Sequence, residues 1–168
     1  MLILHTKVTH AERIDGVLEL PFDQREKCRL RTRLASGEEV GLFMVRGSVL
    51  RDGELITGEE RRVFRVVAAP EPVYELRCAD PLILTRCAFH LGNRHTQVQI
   101  GAGLLRIRVD PVLRDMVEGL GARVEEACAP FEPEAGAYAG GGHSHGEARL
   151  APLPLRQKIH RPGDTVAP

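Results

Sequence analysis

Two Asp-Pro dipeptides, Asp80-Pro81 and Asp110-Pro111, constrain this chain more than any other feature. An aspartate just before a helix accepts hydrogen bonds from the unpaired N–H groups of the first turn. A proline at the first helical position costs nothing, because its missing N–H would have no partner there. Each dipeptide opens an apolar-periodic segment: Leu82, Ile83, Leu84, Ala88 and Leu91 after the first, and Val112, Leu113, Met116, Val117 and Leu120 after the second. Glycines close both segments, with Gly92 read as a left-handed terminator and Gly119 and Gly121 ending the other. Strand patterns surround them at Val73 to Cys78, Gln97 to Ile100, Leu104 to Val109 and Ala122 to Cys128, with Gly101 and Gly103 in a turn. The resulting order, β-α-β-β-α-β, predicts a ferredoxin-like domain over residues 73–133. That architecture hosts many activities, so function has to be argued from individual residues.

Residues 1–69 have a different rhythm. From Cys28 to Leu34, Cys28, Leu30, Thr32 and Leu34 alternate with Arg29, Arg31 and Arg33, the period of two that defines a half-buried strand. Ser36 to Glu39 reads as a turn with Gly37 at positive φ, and Val40 to Val45 returns as the second arm of a hairpin. Asp52-Gly53 marks another turn, and Arg61 to Ala68 another strand. No segment here carries a helical period, so an all-β sandwich or small barrel is expected. Pro70 and Pro72 suggest a short, stiff linker over Ala69 to Val73, and a domain boundary. Beyond Pro130 periodicity fades into Pro, Glu and Gly, and residues 134–168 read as a flexible Gly/His tail. The expected fold class is α+β in two domains, a β domain over 1–69 and the ferredoxin-like domain.

Composition narrows the function. Aromatics make up 4% of the 168 residues and Trp is absent, so two small cores of Leu, Val and Ile are expected to lean on a partner subunit. The formal net charge of zero argues against nucleic acid, whose phosphates favour a basic excess. No apolar run reaches membrane-spanning length and no leader is evident, which predicts a cytoplasmic protein with no membrane partner. The four cysteines form no C-x-x-C pair and are expected as free thiols, with Cys28 and Cys78 as small residues in strands.

Among seven histidines, His95 stands out because it follows the glycine that ends the first helix, where a loop exposes the ring and the helix carbonyl end favours a cation. The plain alternative is a surface loop histidine, the commoner role of an isolated imidazole. His90, five residues earlier, points to another face and is expected to pack or cap. His143 and His145 form an H-x-H pair embedded in glycine, which can fold onto an ion that imidazole suits: Ni, Cu, Zn or Fe. One His95 cannot hold an ion alone, but a two-fold dimer brings two copies together on its axis. Enzyme readings find no support, for no P-loop, G-x-S-x-G or H-E-x-x-H occurs, and Gly101-Ala102-Gly103 precedes a strand rather than a helix. Arg29, Arg31 and Arg33 form a stripe for an acidic or peptide partner, or a solvated face that guards a sheet edge.

The run Phe89-His90-Leu91-Gly92-Asn93-Arg94-His95, followed by Gln97-Val98-Gln99-Ile100, resembles the signature of the UreE family of urease accessory metallochaperones. The likeness continues through Leu113 and Met116 and through Ala129-Pro130-Phe131-Glu132-Pro133-Glu134-Ala135-Gly136-Ala137-Tyr138, ahead of the Gly/His tail. The resemblance implies a peptide-binding-like β domain, a ferredoxin-like metal-binding domain and a homodimer that binds Ni2+ between subunits. In such proteins the ion goes to the urease apoprotein together with an accessory GTPase, UreG. The loop histidine that serves as central ligand matches His95, and tail ligands match His143 and His145. Zn2+ or Cu2+ can substitute on chemical grounds. Where some relatives carry further histidines this chain has Arg108 to Pro111, with no histidine, which argues against a secondary site there. The competing reading is a folding or scaffold protein for urease assembly in which metal is secondary; a small metal hydrolase is a third and weaker one.

Overall fold

The computed structural model describes residues 1–135, so the expected tail, with His143 and His145, lies outside the described residues except for Glu134 and Ala135. Strands β1 (Leu2–Val8) and β2 (Gly16–Leu20) are followed by a one-turn helix α1 (Phe22–Arg25). Strands β3 (Arg29–Arg33), β4 (Glu39–Phe43), β5 (Leu55–Gly58) and β6 (Val63–Ala68) complete a six-stranded sheet of order β2-β6-β5-β1-β4-β3. The β1–β4 and β2–β6 pairs are parallel, the others antiparallel. The hairpin is present as expected, with Gly37 at φ +89° in its turn. Alternation sends Leu2, Leu4, Val40 and Leu42 into a core with Phe64 and Val66, where each fully buried side chain contributes roughly 1.5–3 kcal/mol. The Ala35 N–H, just past β3, donates to the Val17 carbonyl of β2 at 3.3 Å, so the chain leaving one edge strand touches the other.

The one-turn helix corrects the all-β expectation. Four residues are too few to show a helical period, and what holds them is tertiary packing. Phe22 is buried against Phe131, their rings edge-to-face at 5.6 Å. Arg25 is fully buried and donates to the carbonyls of Leu20 (3.0 Å), Leu50 (3.1 Å) and Phe131 (2.6 Å) and to the Glu132 carboxylate. A buried guanidinium needs that many acceptors to offset its lost hydration.

The expected linker is also corrected. Strand β7 begins at Pro70 and runs to Arg77, and α2 (Pro81–Gly92), β8 (Gln99–Gly101), β9 (Leu104–Arg108), α3 (Pro111–Gly119) and β10 (Arg123–Pro130) follow. The second sheet is antiparallel throughout, in the order β10-β7-β9-β8. Pro70 and Pro72 pair with Pro130 and Cys128 of β10, but β9 reaches only as far as Val73, so their missing N–H groups deprive no strand on that side. Cys87 and Leu91 of α2 and Val117 of α3 are buried with Leu76, Leu105 and Ile107 of the sheet. Leu82 and Val112, counted above in the apolar stripes, instead lie 64% and 75% exposed in the first turns of their helices. No helix of the described residues is long and apolar enough to cross a membrane.

Candidate metal centre

His95 is positioned from the start of α2. Asp80 caps the helix, its Oδ1 accepting the Leu82 N–H at 2.8 Å, and Pro81 takes the first helical position. The helix does not stop at Gly92 through a left-handed glycine, as the sequence suggested. Asn93 still has right-handed helical angles, and the residue at positive φ is His95, at 55°. The Thr96 N–H bonds the Leu91 carbonyl at 3.2 Å and the His95 N–H bonds the Gly92 carbonyl at 2.9 Å. That pair of bonds is a Schellman termination, and His95 fills the left-handed position where glycine is favoured. Histidine, with asparagine and aspartate, is among the few side chains that enter this region with any frequency. Exposed Arg61 has a similar angle, φ 57°, so it is the imidazole together with its place at the helix end that makes His95 a candidate.

The ring of His95 is exposed, as expected, and sits in a recess of about 280 Å3. Arg94, Thr96, Gln97, Arg108 and Asp110 share that recess. Sequence reading did not gather these residues around His95, although one signal was available. Gln99 is paired with Arg106 across β8 and β9, and two residues further along the same register Gln97 Oε1 accepts from Arg108 at 2.5 Å. Asp110 is committed to capping α3, its Oδ1 accepting from Val112 and Leu113 at 2.9 and 3.1 Å. His90 is half-buried, its ring edge-on to Phe89 at 5.4 Å, the packing role expected of it. Among the described residues no three His, Cys, Asp or Glu side chains gather closely enough to hold an ion. The structure therefore brings His95 together with none of the other expected ligands, since His143 and His145 lie outside the described residues.

Cys78 and Cys87 offer no substitute. Cys87 is the buried one, its thiol pushed up to about 11 by burial and by Cys78, and burial also raises the Cys78 thiol. Metals take the thiolate, which neither side chain readily presents at neutral pH. The loop after His95 is braced by the returning chain. Glu132 N–H donates to Gln99 Oε1 at 2.9 Å and Glu134 N–H to the Val98 carbonyl at 2.8 Å.

By its likeness to known proteins the chain falls among accessory proteins rather than enzymes. Residues 3–69 fit the family model of the UreE urease accessory protein N-terminal domain, and residues 71–161 that of its C-terminal domain. The urease accessory protein UreE of Janthinobacterium sp. (strain Marseille) is 59% identical over 167 residues, covering 98% of each chain. UreE of Nitrosospira multiformis is 55% identical over 172 residues, again covering 98% of each, and UreE of Burkholderia lata is 54% identical over 129 residues, covering 77% of this chain and 62% of that one. The chain belongs to the UreE family of urease accessory proteins, as its loop and Ala-Pro-Phe-Glu-Pro motifs suggested.

Proposed function

We propose that the chain is a cytoplasmic Ni2+ carrier for urease maturation, binding the ion as a homodimer through His95 of each protomer and releasing it to the urease apoprotein with the UreG GTPase. The observation that carries this reading is the exposed imidazole held at φ 55° where glycine would be easier. Family membership supplies the urease context. The strand order β10-β7-β9-β8 supports a ferredoxin-like reading of the second region. A lone imidazole per protomer suits transfer: two copies on a two-fold axis give a partial shell that an acceptor ligand can enter. Val109 lines the recess and is 47% exposed, while Phe89 and Val112 on the bordering helices are 63% and 75% exposed, apolar surface that a second protomer would cover. His143 and His145 would complete the shell.

Equilibrium dialysis against Ni2+ tests the reading. Less than one tightly held ion per protomer is expected, with affinity reduced more than roughly tenfold in His95→Ala and affinity falling on acidification as protons compete for imidazole nitrogen. Wild-type affinity in His95→Ala removes this residue from the site. Weaker Ni2+ binding on mutating His143 and His145, with His95 intact, would assign the tail a ligand role.

A further inference from the structure

The outward face of the first sheet carries a surface that nickel carriage does not use. Val40 and Leu42 of β4 point into the core, so Glu39, Gly41 and Phe43 point outward. Register places Ile3 of β1 and Arg31 of β3 on either side of Gly41, and Arg29 opposite Phe43. Gly41 is a floor on which three apolar side chains converge. A Cβ there would lie 3.0 Å from Phe43 Cε2, 3.1 Å from Ile3 Cδ1 and 3.4 Å from Met1 Cε. Yet Phe43 is 48% and Met1 68% exposed, and the neighbouring Val45 is 78% exposed. Large apolar side chains gathered in contact and left in water mark an interaction surface.

The rim is cationic. Arg29, Arg31 and Arg33 of β3 flank the cluster, and Glu39 of β4 bonds Arg31 and Arg33 at 2.7 Å each. Neighbouring Glu38 is engaged elsewhere, by Arg62 at 2.8 Å. Arg29 and Arg46 have no ion-pair partner among the described residues, although the whole chain is formally neutral. Edge-strand arginines alone would guard β3 against mispairing, but that role does not account for the apolar cluster beside them. An aromatic residue flanked by arginines has the composition of a binding hot spot.

We propose that this face docks an acidic protein segment, which sets one large apolar side chain against Phe43 and Met1 and its carboxylates against Arg29. Fluorescence anisotropy with the full-length protein tests it, using a short labelled peptide of alternating glutamate and leucine and its lysine–leucine counterpart. The acidic peptide should bind in preference, weaken with added salt, and lose roughly tenfold or more in affinity in Phe43→Ser and in Arg29→Glu. Arg29 is exposed on an edge strand, so Arg29→Glu keeps the test decisive if Phe43→Ser fails to fold, which circular dichroism reports. Equal binding of both peptides, or unchanged affinity in the two variants, overturns the proposal. So does a wild-type protein that ignores the peptide but self-associates through Phe43 in sedimentation equilibrium, or pellets with phosphatidylserine vesicles through Arg29. Nickel affinity should be unaltered in both variants, so this surface and the metal reading stand or fall separately.

Discussion

Helices α2 and α3 end in the same way with different residues. After α3, the Ala122 N–H bonds the Val117 carbonyl at 3.0 Å, the Gly121 N–H bonds the Glu118 carbonyl at 2.9 Å, and Gly121 takes φ +97°. After α2 the matching bonds run from Thr96 to Leu91 and from His95 to Gly92, and the left-handed residue is His95. Both helices also begin alike, at Asp-Pro. The α3 end follows conformational ease; the α2 end places an imidazole in the less easy conformation. Where two helices of one chain end with the same hydrogen bonds, the residue each puts at the left-handed position is the difference to test.

The sharpest way to break that comparison is to take the ease away from α3. Gly121→Val is expected to destabilise the protein by about 2–3 kcal/mol in urea unfolding, because valine is strained at that φ and a Cβ would already sit 3.3 Å from Ile83 Cδ1. The reverse change at α2 should go the other way. His95→Gly is expected to raise stability by about 1 kcal/mol while losing nickel, whereas His95→Ala loses nickel with no such gain. If His95→Gly is no more stable than His95→Ala, the backbone is not strained there. At the helix starts, Asp110→Ala should cost about 1 kcal/mol and Asp80→Ala somewhat less, because Asp110 accepts two N–H groups and Asp80 one. Thermal midpoints of the two variants check this order.

The smallest expected effect separates the helices from the sheet beneath them. Hydrogen bonding to Arg106, and then to Arg77, holds the Glu75 carboxyl below its usual range. Because its folded value is depressed, the stabilisation exists above the ordinary carboxylate range and is lost as pH falls through the folded value. Wild type should therefore exceed Glu75→Gln in urea midpoint near neutrality, and the gap should close in acid. A gap that persists in acid would mean that the Arg106 contact is not carried by charge.

These elements also show what a sequence can and cannot disclose. The Arg29–Arg33 strand, its hairpin turn and both Asp-Pro starts were legible because period, capping and turn chemistry are local. The helix α1 was not, since it depends on Phe131 and Glu132, far along the chain. Nor was the extension of β7 through two prolines, which only the short reach of β9 makes tolerable. At the candidate metal centre, an exposed His95 could be foreseen from its place after a helix. Its left-handed backbone could not, because the nearby Gly92 offered a more ordinary terminator and the helix ran past it.

The pairing of β7 with β10 has a consequence for how the chain is made. A growing polypeptide can close its first sheet once Ala68 has left the ribosome, but β7 must wait for β9 and then for the final strand. At ordinary synthesis rates, on the order of 5–20 residues per second, that leaves a bare strand in the cell for seconds. Pro70 and Pro72 fall within that waiting segment, and a strand lacking donors at two places is a poor template for a stray neighbour. The same prolines that look like a stiff linker on paper would thus act as a safeguard during birth of the protein.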